Sequence, residues 1–349
     1  MKTVGVIGSG AWGTALAQAL HSSSLRVTMW TRDQDLAHTI SHTHSNPIYL
    51  AGAPLNPEIQ ATSTLSEALA ADIVFLVVPT QYLRDVCRAA APLWKMRTPA
   101  ILCSKGIEIA TGHLASTVVE QELPPQTPLA VLSGPSFARD VIRGLPCAVT
   151  LACADTYLGQ SLTQAIGNRT LRPYHTSDVI GTEIGGAIKN VLAIACGILD
   201  GKALGESARA ALLTRGLAEM TRLGVALGGR PETFMGLSGI GDLILTATSM
   251  QSRNFSLGVA LGQGHSFDEV MAQRKAVTEG VATAAAIAKL AKKQTVEMPI
   301  CAAVYRILHE NENIDRMIDA FLARPLRSEV DHCPASLPLP HATDEIQGP

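Results

Sequence analysis

The chain has 349 residues, of which 47% are hydrophobic and 17% are charged, and its formal net charge is −2. This length is enough for two domains with well-buried cores. The near-neutral balance and the lack of a basic block argue against nucleic acid or an anionic membrane as partners. Any anionic ligand must therefore be held by a local site.

The seven cysteines lie far apart, without the CxxC or Cys/His spacing of metal sites. We therefore expect no metal, reduced thiols packed as small core residues, and a cytoplasmic setting. The N-terminal text, MKTVGVIGSG, begins a strand almost at once, which leaves no room for a signal peptide.

The first half alternates short apolar runs with helical patterns, which is typical of βαβ units around a parallel sheet. A doubly wound, mostly parallel, Rossmann-like α/β domain is therefore the predicted fold. The segment His38–Pro57, with its HTHSNP text and several prolines, is predicted to be a loop. The predicted strands are Thr3–Ile7, Arg26–Trp30, Ile73–Val78, Ala100–Cys103, Leu129–Leu132 and Ala148–Leu151.

From about Gly181 to Ala323 the text shows helical periodicity and no clear strand, which predicts an all-α second domain. Its most apolar stretch, Ile184–Leu199, is shorter than the roughly 20 residues that span a membrane, so a buried core helix is expected. The Pro-rich end is predicted to be a disordered tail. The predicted domains are residues 1–181, 182–325 and 326–349.

A G-x-G-x-x-G fingerprint stands directly after the first strand and opens an Ala-rich helix, Thr14–Leu20. Gly8 suits the tight turn, Gly10 allows a pyrophosphate close to the backbone, and Gly13 lets helix and strand pack closely. The fingerprint predicts a dinucleotide bound at the helix N-terminus.

The end of the second strand bears on the choice of cofactor. Arg32 stands where a guanidinium could meet a 2′-phosphate, and Asp33 follows one residue late for the ribose. The alternative is a solvated turn. We favour NADP(H), or the use of both NADP(H) and NAD(H).

Two further strand ends carry polar residues at the ligand-binding edge of an open α/β sheet. Lys105 follows the fourth predicted strand, where it is placed to face cofactor or substrate. The turn SGPSFA follows the fifth and could present backbone N–H groups and the Ser136 hydroxyl to a ligand, unless it is a mere turn.

A single charge, Lys189, interrupts the apolar text EIGGAIKNVLAIACGIL. In a helix, Gly186 and Gly185 lie at i−3 and i−4, so the pattern suggests space for a ligand beside the ammonium. Burial would lower the pKa of this lysine toward neutrality, which suits proton transfer. The alternative is a lysine that snorkels to solvent.

Three more polar positions are candidates. Asp242 could pair with Lys189 or merely cap a helix. The text QSRN, with Arg253 between Ser and Asn, suits a small phosphate. Glu279 is either a first-turn helix acid or a contact to nicotinamide or ribose.

In combination these segments resemble the bacterial-type NAD(P)-dependent sn-glycerol-3-phosphate dehydrogenase family over roughly residues 1–325. The matching text is GSGAWGTALA, CSKGIE, SGPSFA, GGAIKNVLAIACGILDG, TRGLAEMTRLG, GIGDLILTATSMQSRN and VTEG. The resemblance implies a Rossmann-like domain, a helical domain, a homodimer, and reduction of dihydroxyacetone phosphate to sn-glycerol 3-phosphate for phospholipid synthesis.

The resemblance also implies roles for individual residues, with Lys189 as the proton donor and acceptor and Asp242 and Lys105 beside it. Lys202 and Ser207 depart from the family's usual residues, which puts the rim of the pocket in doubt. The implied substrate contacts are Lys105, Gly134, Ser136, Lys189, Asp242, Ser252, Arg253 and Asn254. The implied cofactor contacts are Gly8, Gly10, Ala11, Trp12, Gly13, Arg32, Lys105, Ala138, Arg253, Val277 and Glu279.

The expected reaction is hydride transfer to the keto phosphate, with Lys189 as proton donor and the Arg253–Asn254 pair as phosphate anchor. Two alternatives remain. Another dehydrogenase of this architecture would not need the phosphate anchor, and a non-enzymatic NAD(P) sensor would have no reason to keep Lys189.

Overall fold

A computed structural model describes residues 2–274 and 277–325 of the chain. Within these residues eight strands form one sheet, in the spatial order 3-2-1-4-5-6-7-8, and every neighbouring pair is parallel except the sixth and seventh. The strands are β1 Thr3–Ile7, β2 Arg26–Trp30, β3 Gln60–Thr62, β4 Ile73–Leu76, β5 Ala100–Leu102, β6 Leu129–Ser133, β7 Cys147–Ala152 and β8 Leu171–Thr176.

The six predicted strands are all present, with ends that differ by at most two residues, and the predicted mostly parallel sheet is confirmed. The two missed strands, β3 and β8, lie at the two edges of the sheet. β3 has only three residues, and β8 contains Pro173 and is half exposed. Edge strands of this kind need no continuous apolar run and tolerate proline.

Seven helices of the described chain accompany the sheet: α1 Ala11–His21, α2 Gln34–Thr43, α3 Leu65–Leu69, α4 Thr80–Ala90, α5 Ala115–Glu122, α6 Ala138–Val141 and α7 Thr156–Ile166. The prediction of a loop from His38 onward is wrong as far as Thr43, because α2 continues to that residue. Leu36, Ala37 and Ile40 form a buried face. The loop prediction rested on the polar His, Ser and Thr residues around that face, which are exposed or half-buried.

The described residues after β8 contain helices and no strand, as predicted. Residues 2–311 form one compact unit, and α16 lies in a second unit that begins at Glu312. The predicted boundary at residues 181 and 182 falls in the first turn of α8, and the predicted tail, residues 326–349, lies outside the described residues. These helices are α8 Val179–Gly201, α9 Glu206–Ala226, α10 Pro231–Phe234, α11 Asp242–Ala247, α12 Arg253–Gly262, α13 Phe267–Ala272, α14 Glu279–Gln294, α15 Pro299–His309 and α16 Ile314–Leu322.

Helix α8 is the central helix of the compact unit. It is the one described helix long and apolar enough to cross a membrane, but 89% of its apolar window is buried inside the protein. The prediction of a buried core helix is therefore confirmed. Its glycines face those of α12: a methyl group at Gly258 would overlap the carbonyl oxygen of Ile194 and lie 2.9 Å from Gly197 Cα. The two helices approach this closely because neither carries a side chain at the crossing.

The described cysteines are buried and free, as expected of small core residues. They are Cys87, Cys103, Cys147, Cys153, Cys196 and Cys301.

Candidate active site

Lys189 lies in the middle of α8, and its side chain is 8% exposed. Its Nζ donates to Asp242 Oδ1 and to Thr246 Oγ1, each at 2.8 Å. The charged group stays inside the protein, so the snorkelling alternative is excluded.

Asp242 connects two lysines that come from different halves of the chain. Its Oδ2 accepts from Lys105 Nζ at 2.7 Å, while its Oδ1 accepts from Lys189. Lys105 follows β5 and also donates to the carbonyl oxygen of Gly134, at 2.9 Å. Asp242 begins α11 but makes no capping hydrogen bond, so its pairing with Lys189 replaces the helix-cap alternative.

This cluster contains two ammonium groups and one carboxylate, so it favours a negative charge on a ligand. Burial lowers the pKa of Lys189 to about 8, with a further contribution from Lys105, although the charge of Asp242 acts in the opposite direction. Burial alone would raise the pKa of Asp242, but the two ammonium groups outweigh it and hold that pKa below its usual value. Asp242 thus stays ionised while the Lys189 ammonium, with a pKa of about 8, can release and take up a proton.

Protein atoms fill the positions beside Gly185 and Gly186 where the sequence predicted space for a ligand. A methyl group at Gly185 would overlap the carbonyl oxygen of Ser238, and one at Gly186 would lie 2.8 Å from Ser133 Oγ and 3.5 Å from Lys105 Cγ. The prediction that these glycines leave room for a ligand is therefore wrong. They let Lys105 and the π-helical turn Leu237–Gly241, which leads into Asp242, pack against α8.

A chain of amides supports the lysine pair. Asn190 Nδ2 donates to the carbonyl oxygen of Lys105 at 3.0 Å, and Asn254 Nδ2 donates to Asn190 Oδ1 at 2.8 Å. Asn254 Oδ1 in turn accepts from the backbone N–H of Gly280 at 3.0 Å. Asn254 is buried, and one hydrogen of its amide group remains for a substrate.

The other residues of the QSRN segment have distinct surroundings. The Ser252 hydroxyl caps α12 by accepting from the backbone N–H of Phe255. Arg253 is exposed and donates through Nη1 to the carbonyl oxygen of Val277. Arg253 and Asn254 thus differ in access: Arg253 is partly open to solvent, whereas the Asn254 side chain joins the buried amide chain.

The glycine-rich loop has the geometry that a dinucleotide needs. Gly8 has φ +122°, and a methyl group at Gly13 would overlap the carbonyl oxygen of Gly8. A methyl group at Gly10 would meet no atom within 4 Å, so the backbone faces open space at the start of α1. Ala11 and Trp12 follow, both half-buried. The residues present therefore fit a pyrophosphate at this helix N-terminus.

At the end of β2 the two candidate cofactor-binding residues, Arg32 and Asp33, differ in how available they are to a ligand. Arg32 is exposed, so its guanidinium can reach a ligand in solution. The carboxylate of Asp33 instead accepts from the backbone N–H of Leu36 at 3.0 Å and caps α2. A helix-capping carboxylate is less available to a ribose hydroxyl.

Glu279 lies in the first turn of α14 and reaches across to α4. Its Oε1 accepts from the backbone N–H of Thr80 at 3.1 Å, and its Oε2 accepts from the Thr80 hydroxyl at 3.2 Å. A methyl group at Gly106 would lie 2.8 Å from Glu279 Oε2, which places this carboxylate beside the segment that carries Lys105. Burial raises the pKa of Glu279.

The turn after β6 supplies the remaining predicted contacts. Gly134 has φ +138°, and its carbonyl oxygen accepts from the Ser136 hydroxyl at 3.0 Å as well as from Lys105. Ala138 opens α6 directly after this turn. The structure thus gathers Lys105, Gly134 and Asp242 into one hydrogen-bonded group.

Sequence reasoning missed three residues of this site: Thr246, Asn190 and Thr80. Thr246 lies four residues after Asp242, so helical spacing could have placed both on one face of α11. Asn190 directly follows the lysine, and its position beside the only charge of an apolar run is the one signal that could have identified it. No sequence signal links Thr80 to Glu279, because 199 residues separate them.

Comparison with known proteins identifies the same architecture. The family model described as NAD-dependent glycerol-3-phosphate dehydrogenase N-terminus matches residues 3–158, and the one described as its C-terminus matches residues 178–319. A glycerol-3-phosphate dehydrogenase [NAD(P)+] of Rhodospirillum rubrum is 56% identical over 93% of this chain and 93% of its own length. One of Parvibaculum lavamentivorans is 52% identical over 94% of this chain and 98% of its own.

A solved structure shows the same fold. The crystal structure of a glycerol-3-phosphate dehydrogenase from Coxiella burnetii superposes with a TM-score of 0.89 at 37% identity, over 93% of this chain and 99% of that one.

Proposed function

The chain belongs to the NAD-dependent glycerol-3-phosphate dehydrogenase family, and from this premise we propose which of its residues perform the reaction. The protein is an oxidoreductase that uses NAD(H) or NADP(H) and interconverts dihydroxyacetone phosphate and glycerol 3-phosphate. Glycerol 3-phosphate is the precursor of glycerophospholipids.

Bound NAD(P)H supplies the hydride, and the chain supplies position, charge and a proton. Gly8, Gly10 and Gly13 would hold the pyrophosphate at the N-terminus of α1, and Ala11 and Trp12 would contact the cofactor beside them. Exposed Arg32 is suited to the 2′-phosphate of NADP(H). Further contacts are assigned to Lys105, Ala138, Arg253, Val277 and Glu279.

Lys189 is the proton donor when the ketone is reduced. The observation that carries this assignment is the buried contact of Lys189 and Lys105 with the two oxygens of Asp242, at 2.8 and 2.7 Å. Two positive charges beside the carbonyl oxygen stabilise the alkoxide that forms there. Asp242 orients both lysines and accepts the hydrogen bonds that hold them.

The substrate's phosphate is assigned to Arg253 and Asn254. A guanidinium gives a forked set of donors to phosphate oxygens, and an amide N–H adds a neutral donor. Gly134, Ser136 and Ser252 complete the substrate contacts. Loss of Arg253 should act mainly on KM for the phosphorylated substrate.

The test begins with the purified wild-type chain, NADPH or NADH, and dihydroxyacetone phosphate, followed by absorbance of the reduced cofactor. We expect oxidation of at least one cofactor that depends on the keto phosphate. Lys189→Ala should lower kcat by a factor of about 10²–10⁴, the range for loss of a positioned acid.

NADPH affinity is the control, since Lys189→Ala should leave it close to wild type. A variant with near-normal kcat would refute the role of Lys189. No oxidation of either cofactor by the wild-type chain would refute the proposed substrate.

We also expect a cytoplasmic homodimer, as the family resemblance implies. Sedimentation of the purified chain at micromolar concentration checks the dimer, and fractionation of the cells checks the location.

A further inference from the structure

Asn46 is fully buried beneath the glycine-rich loop, although it belongs to the irregular segment that follows α2. Its Nδ2 donates to the carbonyl oxygen of Ser9 and to Thr14 Oγ1, each at 2.8 Å. Its Oδ1 accepts from the backbone N–H of Tyr49 at 3.2 Å. Because both polar atoms of this amide are paired away from water, its removal leaves buried groups unsatisfied.

Thr14 completes the arrangement. Its hydroxyl accepts from Asn46 and donates to the same Ser9 carbonyl oxygen, at 3.2 Å. Two donors, both buried, therefore hold this carbonyl group toward the protein interior.

The orientation of that carbonyl fixes the next amide. The peptide bond between Ser9 and Gly10 is trans, since the described residues contain no cis peptide. In a trans peptide the N–H points opposite to the C=O, so the N–H of Gly10 points away from Asn46. Gly10 caps α1 and borders open space, on the side where the fingerprint places a pyrophosphate.

We propose that Asn46 is a positioning residue for the cofactor: with Thr14, it holds the Ser9–Gly10 peptide so that the Gly10 N–H faces the pyrophosphate of NAD(P)H. The proposal rests on the proposed function for the identity of that ligand. Without Asn46 only the longer Thr14 hydrogen bond, at 3.2 Å, restrains this peptide. A peptide that rotated would turn its carbonyl oxygen toward the negatively charged phosphates. A preorganised donor avoids this cost at the moment of binding.

Gln18 allows a purely structural role to be separated from this one. Its Oε1 accepts from the backbone N–H of Asn56 at 2.8 Å and so ties the same segment to α1 at a point that does not involve Ser9. Loss of Gln18 loosens the segment, whereas loss of Asn46 also removes the shorter of the two hydrogen bonds to the Ser9 carbonyl group.

The experiment compares Asn46→Ala, Thr14→Val and Gln18→Ala in the full chain. NADPH affinity is measured by quenching of tryptophan fluorescence without substrate, and thermal unfolding is followed on each protein without ligand. We expect the Kd for NADPH to rise about tenfold or more in Asn46→Ala. It should rise about threefold in Thr14→Val, because that variant keeps the Asn46 contact to Ser9. In Gln18→Ala it should change less than about twofold. ADP-ribose carries the pyrophosphate without nicotinamide, and its affinity for Asn46→Ala should fall by a factor similar to that for NADPH.

A folded Asn46→Ala protein with wild-type Kd overturns the proposal, and so does an equal loss in Gln18→Ala. If Asn46→Ala does not fold, Thr14→Val decides, and a wild-type Kd there overturns the proposal. A wild-type chain that binds NADPH but does not reduce dihydroxyacetone phosphate contradicts the proposed function, while the affinities still decide the role of Asn46.

Discussion

Lys189 is buried with a carboxylate on one side and a second ammonium nearby, and these neighbours set its proton affinity. Burial and Lys105 lower its pKa, while Asp242 raises it, with a result of about 8. Reduction of the ketone needs the ammonium form, so its rate should fall as the pH rises through about 8. Oxidation of the alcohol needs the neutral amine, so its rate should rise over the same range.

Asp242→Asn removes the charge that raises the pKa of Lys189. We expect the alkaline limb of kcat for reduction to move to lower pH by about one unit or more, since one unit corresponds to about 1.4 kcal/mol of interaction. The measurement is a pH–rate profile of reduction at saturating cofactor and substrate.

Thr246→Val is the matched control, because it removes a neutral partner of Lys189 and keeps the charge of Asp242. Its alkaline limb should move less than that of Asp242→Asn. An unmoved limb in Asp242→Asn would mean that a group other than Lys189 limits the rate.

At the scale of elements, the crossing of α8 and α12 brings Asn254 against Asn190, the residue next to Lys189. A methyl group at Gly258 would overlap the Ile194 carbonyl oxygen, which belongs to helix backbone and cannot move aside alone. Gly258→Ala should therefore lower the free energy of unfolding by about 1–3 kcal/mol, the usual cost of overpacking a core. Urea denaturation measures this loss.

Gly241→Ala is the matched control for stability. Gly241 has helical backbone angles, φ −60° and ψ −51°, and a methyl group there would lie 3.5 Å from its nearest neighbour, in ordinary contact. We expect little change in the free energy of unfolding or a small gain. A loss equal to that of Gly258→Ala would show that the tight crossing is not the cause.

At the scale of the whole molecule, Glu183 joins the helical half to the sheet half. It lies in α8, and its carboxylate accepts from the backbone N–H of Ser116 at 2.8 Å and from the Ser116 hydroxyl at 2.5 Å, at the start of α5. Burial raises the pKa of Glu183 to about 7, although the Ser116 hydrogen bonds act in the opposite direction. The folded protein therefore keeps this proton to a higher pH than the unfolded chain does.

A raised pKa in the folded state gives a contribution to stability that is complete below about pH 4.5 and is lost as the pH rises through about 7. Glu183→Gln stays neutral at every pH. Wild type loses this contribution as the pH rises and the variant does not. The free energy of unfolding of Glu183→Gln minus that of wild type should therefore increase by about 1–3 kcal/mol from pH 5 to pH 8. Urea denaturation at the two pH values measures this difference.

Glu67→Gln is the matched control, because it removes one negative charge from the molecule at an exposed position in α3. A stability difference between wild type and Glu183→Gln that is the same at both pH values would contradict the assignment to Glu183.

Local sequence patterns predicted some features of the structure and missed others. The central strands were predictable because strands buried on both faces need uninterrupted apolar runs, as in IVFL of β4. The glycine-rich loop and Lys189 were predictable because each is a local pattern with a local physical reason. The edge strands β3 and β8 were missed because a half-exposed strand carries no such run.

The sequence by itself determined the central strands of the sheet, the helical second half, the dinucleotide fingerprint and the identity of the buried lysine, since these depend on residues close together in the chain. Only the tertiary structure decided that Asp242 joins Lys189 to Lys105, that Gly185 and Gly186 admit protein rather than ligand, and that Asn46 supports the glycine-rich loop. These contacts join residues 137, 53 and 37 positions apart. Hydrogen bonds and close packing over such separations depend on how the elements fold together, and no local pattern records them.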